Sequence, residues 1–171
     1  MLPANETHYL TYIRKNHILR DLTDEELHLV MMATTPRRFQ TEAIIMQEGE
    51  AGEVMYIMCE GSVAITKRLT LELGEDTPRE KVMVRFRAEE GVILGEMALI
   101  ESDVRSATVT ALTPCLMLEL SKDKFYQILE KYPKIGVKIL LRLAQSLCQR
   151  LRKNSDELVK VTTALAIALE S

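Results

Sequence analysis

The apolar residues of this chain change period twice, and that limits the fold more than any other property. Up to residue 33 they are helix-spaced, with Leu10, Ile13, Ile18 and Leu22 as one set. The stretch DLTDEELHLVMMA predicts a second helix. Thr23 is its N-cap, Glu26 completes a capping box three residues later, and Leu27, Val30 and Met31 form its apolar face. At Thr34-Thr35-Pro36 this spacing gives way to short β-like runs separated by turn signals. The runs are Ala43–Met46, Val54–Met58, Val63–Thr66, an alternation of Val82, Val84 and Phe86 with Met83, Arg85 and Arg87, and Cys115–Leu120. A polar loop is expected around Gly74 to Pro78. Five of the seven glycines (Gly49, Gly52, Gly61, Gly74, Gly91) fall in this middle part, where turns are needed. Seven or eight short strands with regular turns predict a β-sandwich or jelly-roll barrel.

From Ser121 the helical period returns. SKDKFYQILEKYP predicts a helix capped by Ser121, with Lys124 where a capping box would carry an acid, and Pro133 interrupts it. One long helix is then expected from Lys134 to about Leu169. It carries a 4-3 pattern of Leu140, Ala144, Leu147, Leu151, Asn154, Leu158, Val161, Leu165 and Ala168. A helix of about 35 residues is about 50 Å long, more than a domain of this size can cover. The pattern therefore predicts a homodimer through this helix, against the plainer reading of a helix that only packs on the β-domain.

The stretch LGEMALIESDVRSATV, Leu94 to Val109, holds the chemistry. Gly95 lets the backbone approach a ligand closely. Glu96-Met97-Ala98-Leu99 would open a short helix whose free N–H groups favour an anion. Arg105, nine residues after Glu96, can grip a phosphate through two parallel hydrogen bonds. Glu96 can accept a hydrogen bond from a sugar hydroxyl. The pattern suits a ligand carrying both a phosphate and a ribose, although a Gly-Glu pair and a distant arginine are common by themselves.

Composition narrows the alternatives. The chain has 171 residues, enough for one domain that buries roughly 70% of its unfolded surface. A net charge of −3 weighs against a dedicated nucleic-acid binder. No apolar run approaches the ~20 residues of a membrane span, and MLPANETHYL lacks the pattern of a signal peptide. Three scattered cysteines, Cys59, Cys115 and Cys148, give neither a disulfide framework nor a CxxC zinc site. A reducing cytoplasm is the expected setting.

With these pieces in order, the chain resembles the cyclic nucleotide-binding domain family of bacterial catabolite-activator-type regulators, cyclic-nucleotide-dependent kinases and cyclic-nucleotide-gated channels. The resemblance runs from residue 18 to about 160. It rests on ILRDLTDEELHLV, on EGEAGEVMYIMCEGSVAI with its turn glycines, and on the cassette GEMALIESDVRSATV. It implies a mainly β domain with flanking helices, a jelly-roll or β-roll. The parts would be a helical segment over 1–36, the roll over 37–120 with its cassette at 94–109, and C-terminal helices over 121–171, all in one cyclic nucleotide-binding domain.

The resemblance also implies a site. Gly95 and Glu96 would take the ribose, with Glu96 on the 2′-hydroxyl. Met97 and Ala98 would offer backbone N–H groups to the cyclic phosphate. Arg105 would pair with that phosphate and Ser106 would add a hydroxyl. The charge-assisted contact is worth about 1.5–3 kcal/mol. An ungapped match of ILLRLAQSLCQRLRKNS to the long helix of the regulators would place Arg150, Asn154 and Ser155 at the nucleotide and its base. Asn154 would also be the one polar member of the dimer seam, where such a residue sets register.

The implied function is a cytoplasmic sensor of cAMP, with cGMP second, that relays binding through its long helix to an unnamed protein effector. In this family a threonine after the cassette arginine tends to accompany cGMP; Ser106 is neither that threonine nor the alanine common among cAMP binders. The alternative is a ligand-independent dimeric scaffold with a vestigial pocket. An enzyme is not expected. Jelly rolls that hold metals use several histidines, and none follows His28 (the others are His8 and His17). No nucleophile–base pair is evident, no cofactor or metal is implied, and Glu101 and Asp103 read as solvated loop charges. Sixteen residues follow Ser155, too few for a helix-turn-helix, so no DNA binding by that route and no membrane contact are expected.

Overall fold

The computed structural model describes residues 6–68, 80–101 and 104–170. The loop expected around Gly74 to Pro78, and Asp103, lie outside the described residues. The chain opens with α1 (Glu6–Lys15) and α2 (Asp24–Met32). The capping box of α2 is formed from both sides. Thr23 accepts from the Glu26 N–H at 3.3 Å, and the Glu26 carboxylate accepts from the Thr23 N–H at 2.8 Å. Ile18 and Leu22, though helix-spaced with Leu10 and Ile13, sit in the turn between the helices. Asn16 makes the turn: its Oδ1 accepts the Ile18 N–H at 2.9 Å and its Nδ2 donates to the Gly91 carbonyl at 2.5 Å. Such side-chain bonds compete with continued helix. Ile18 and Leu22 are buried all the same.

Among the described residues eight antiparallel strands follow: β1 (Thr35–Phe39), β2 (Ile44–Met46), β3 (Val54–Glu60), β4 (Ser62–Arg68), β5 (Glu80–Arg87), β6 (Ile93–Leu94), β7 (Thr108–Ala111) and β8 (Cys115–Ser121). They form two four-stranded sheets, in the orders β1-β8-β3-β6 and β2-β7-β4-β5. The uninterrupted apolar runs of β3 and β8 have a simple cause: both faces of these strands are covered. Met55, Ile57, Cys59, Leu116, Leu118 and Leu120 face the helices in one core. Tyr56, Met58, Cys115 and Met117 alternate with them and face the other sheet in a second core. The architecture is the mainly β roll with flanking helices that the family resemblance implies.

The chain closes with α3 (Lys122–Lys131) and α4 (Pro133–Glu170). Ser121 caps α3 by accepting from the Lys124 N–H at 3.4 Å. Pro133 opens α4 at a position where its missing N–H costs nothing. Ile135, Ile139 and Leu143 of α4 are buried with α1, α2 and α3, and Ser146 is its last buried residue. From Cys148 to Leu169 every residue of α4 is exposed. Leu151, Leu158, Val161 and Leu165 are among them.

Candidate functional site

The stretch from Leu94 to Val109 crosses from one sheet to the other. Leu94 belongs to β6, paired with Tyr56 of β3, whereas Thr108 and Val109 belong to β7, between β2 and β4. Gly95 turns the chain with φ +74°, in the left-handed region open to glycine. A short 3-10 turn, Glu96–Leu99, follows. Ala98 and Leu99 are buried, which anchors the turn and directs Glu96 inward, where it is only 5% exposed. The Ala98 N–H is taken by the Gly95 carbonyl at 3.1 Å.

Arg105 is held from several directions. Its N–H donates to the Glu50 carbonyl at 2.8 Å, and its own carbonyl accepts from the Gly49 N–H at 2.9 Å. Nη2 donates to the Val54 carbonyl at 2.8 Å. The guanidinium lies in a slot between two glycines, and a Cβ at either Gly52 or Gly95 would overlap it. Among the described residues Arg105 has no carboxylate in ion-pair contact. Burial lowers its pKa, opposed by the electrostatic effect of Tyr56. Beside it, burial, with the Glu119 carboxylate adding to it, pushes the Tyr56 phenol up to about 12.

Glu96 is the opposite case. Its Oε1 accepts no hydrogen bond among the described residues but forms an ion pair with Nη1 of Arg150 on α4. A buried carboxylate without such a partner would be costly. His17, from the turn before α2, also approaches. Its Nε2 lies 3.2 Å from the Ser146 hydroxyl. Burial first, and Arg150 next, lower the His17 pKa, while Glu96 acts in the opposite direction.

These groups surround one cavity of about 830 Å³. All of Gly95, Glu96, Met97, Ala98, Arg105, Ser106, Arg150 and Asn154 line it. Ser155 does not; its hydroxyl donates back to the Leu151 carbonyl at 2.9 Å. Met46, His17, Lys153 and Glu157 also line the cavity, and sequence reasoning missed them. Lys153 and Glu157 lie three and seven residues after Arg150, so helical spacing could have found them. No local signal marks His17. The arrangement can do two things at once: offer to an anionic group a cation that no carboxylate among the described residues pairs with, and offer a buried carboxylate to hydroxyl donors.

Residues 36–132 match the family of the cyclic nucleotide-binding domain. The chain is similar to the cAMP-activated global transcriptional regulator CRP of Salmonella typhimurium, with 28% identity over 136 residues that cover 79% of this chain and 59% of that protein. The chain thus spans well under two thirds of that relative's length. Among solved structures, a cyclic nucleotide-binding domain from Methylobacillus flagellatus has the same fold, with a TM-score of 0.74, 24% identity, and coverage of 91% of this chain and 84% of that one. The regulatory domain of Toxoplasma gondii PKA, crystallised with cAMP, aligns with a TM-score of 0.63 and 26% identity over 75% of this chain and 46% of that one. With more than half its length matched by the family and its cavity lined in part by the cassette, this chain belongs to the cyclic nucleotide-binding domain family.

Proposed function

We propose that the chain is a regulatory sensor that binds cAMP in preference to cGMP and relays the event through α4. The carrying observation is the charge layout of one cavity. It contains a half-buried guanidinium with no carboxylate in ion-pair contact among the described residues, and a carboxylate buried at 5% exposure. A cyclic phosphate suits Arg105 and the Ser106 hydroxyl. A ribose 2′-hydroxyl suits Glu96, with Gly95 admitting the sugar and the Met97 and Ala98 turn beside the phosphate. The base then falls to Arg150 and Asn154. The amide of Asn154 can both donate to and accept from adenine. Similarity to the cAMP-activated regulator CRP and to the PKA regulatory domain crystallised with cAMP supports adenine over guanine.

The relay follows from Arg150, which belongs to α4 and touches the ribose end through Glu96. A ligand that engages both residues acts on the helix directly, and it shifts α4 only by its differential affinity for the two positions. The exposed seam from Leu151 to Leu165 supports a homodimer through α4, with a protein effector reading its position. In this reading the segments 1–36, 37–120 and 121–171 work as one domain, in the cytoplasm, with no catalysis and no cofactor beyond the nucleotide. Among the described residues no helix is long and apolar enough to cross a membrane.

Calorimetric titration of nucleotide-free protein with cAMP, cGMP and a cyclic dinucleotide tests the proposal. The expected outcome is cAMP binding at micromolar concentration or tighter, lost in Arg105→Ala. Absence of binding by any of the three would favour a dimeric scaffold instead.

A further inference from the structure

Lys138, Arg142, Ser146 and Arg150 follow one another at intervals of four along α4, so they form a single row on one side of the helix. Each member has a polar partner. Lys138 Nζ donates to both carboxylate oxygens of Glu26, at 2.6 and 2.9 Å. Arg142 donates Nε and Nη2 to the two oxygens of Asp21, at 2.5 and 2.7 Å. Ser146 meets His17 at 3.2 Å. Arg150 pairs with Glu96. As the row advances toward the cavity, its partners step back through the N-terminal segment, from 26 to 21 to 17. The last contact passes to the cassette itself.

The apolar anchors of α4 cannot do what this row does. Burial of Ile135, Ile139 and Leu143 holds the helix against its neighbours, but hydrophobic attraction has no direction. A bidentate guanidinium–carboxylate pair does have one. Asp21 and Arg142 are partly exposed, so this pair adds little to overall stability; its effect is on orientation. Resting on the nucleotide-binding reading above, we propose that Asp21, Glu26 and His17 are positioning residues for the pocket: with Lys138, Arg142 and Ser146 they fix the rotation of α4, and so hold Arg150 and Asn154 over the cavity. The N-terminal segment thereby sets nucleotide affinity through the position of α4.

The test reverses the charges. One variant carries Asp21→Arg, a second carries Arg142→Asp, and a third carries both, so that the Thr23–Glu26 capping box is intact in all three. Each is titrated with cAMP, and hydrogen exchange is followed over residues 147–153 without ligand. Both single variants should bind cAMP about fivefold or more weakly, through lost preorganisation, and exchange faster past Ser146. The double variant should recover affinity to within about twofold of the parent, and its slow exchange too. Unchanged affinity and exchange in the single variants would overturn the proposal. So would losses that the double variant does not repair, because those do not come from the pairing. If the parent protein binds no cAMP, the nucleotide reading fails by itself. The exchange data still decide whether the row positions α4.

Discussion

Arg150, on the last stretch of α4 to face the roll, is ion-paired with Glu96, whose side chain is 93% shielded while that of Arg150 is 52% exposed. One contact thus joins the long helix to the cassette. Removing Arg150 alone leaves a buried carboxylate without its partner, a loss of about 1–3 kcal/mol, toward the lower end because the arginine is half in water. Urea unfolding at neutral pH should show Arg150→Met destabilised by about 1 kcal/mol. Adding Glu96→Gln should restore part of that loss. Strictly additive effects in this double-mutant cycle would show that the pair has no coupling.

Gly52 is required by the space around it rather than by its own conformation: its backbone φ is ordinary, yet a methyl group there would overlap the Arg105 guanidinium. Gly52→Ala should therefore fold normally and displace Arg105 from its slot beside the Val54 carbonyl. Loss of one charge-assisted contact of about 1.5–3 kcal/mol corresponds to a fall in cAMP affinity of about tenfold or more. Calorimetry together with a melting curve separates this outcome from simple unfolding.

The shifted His17 makes stability depend on pH. Its folded pKa lies below the ordinary value of 6.5, first through burial and then through Arg150, with Arg20 and Arg142 adding and Glu96 opposing. Between the folded value and 6.5 the unfolded chain binds more protons, so stability rises with pH. The contribution is present above 6.5 and is lost as pH falls from there through the folded pKa. The urea midpoint should drop as pH is lowered from about 7.5 toward 5.5, and His17→Gln should flatten that slope. An identical slope in the variant would remove His17 as its source.

Leu151 and Leu158 of α4 are 67% and 64% exposed, beyond the last buried residue of the helix. A carboxylate at the centre of a helix–helix seam opposes pairing. Sedimentation should find the parent protein dimeric and Leu151→Glu with Leu158→Glu monomeric, with the roll still folded. A monomeric parent would end the dimer reading.

Features that depend on neighbours in the sequence are legible from the sequence alone. The Thr23–Glu26 capping box needs only four residues, and Pro133 separates α3 from α4 because it is tolerated only in the first turn of a helix. The runs of β3 and β8 are visible as strands. That both faces of each are buried is not visible, because it depends on the helices beyond them. The turn at Asn16 is only half local: its bond to the Ile18 N–H lies within the turn, but its second hydrogen bond goes to Gly91, 75 residues away. His17 is hidden for the same reason, since its partner Ser146 is 129 residues distant. Nothing local assigns Asp21 a partner, and Glu26 is legible only as a capping-box residue, until the fold sets Arg142 and Lys138 opposite them.

The exposure of α4 beyond Ser146 has a mechanical consequence. The 24 residues from Leu147 to Glu170 extend about 36 Å past the last buried contact, at 1.5 Å per residue. A tilt of about 10° at that fulcrum carries the far end about 6 Å sideways, a little over the pitch of one helical turn. Arg150 sits one turn beyond the fulcrum and moves by only about 1 Å in the same tilt. Such a tilt multiplies a displacement at Arg150 several-fold, converting an adjustment the size of a lengthened hydrogen bond into a sideways shift of about 6 Å at the tip.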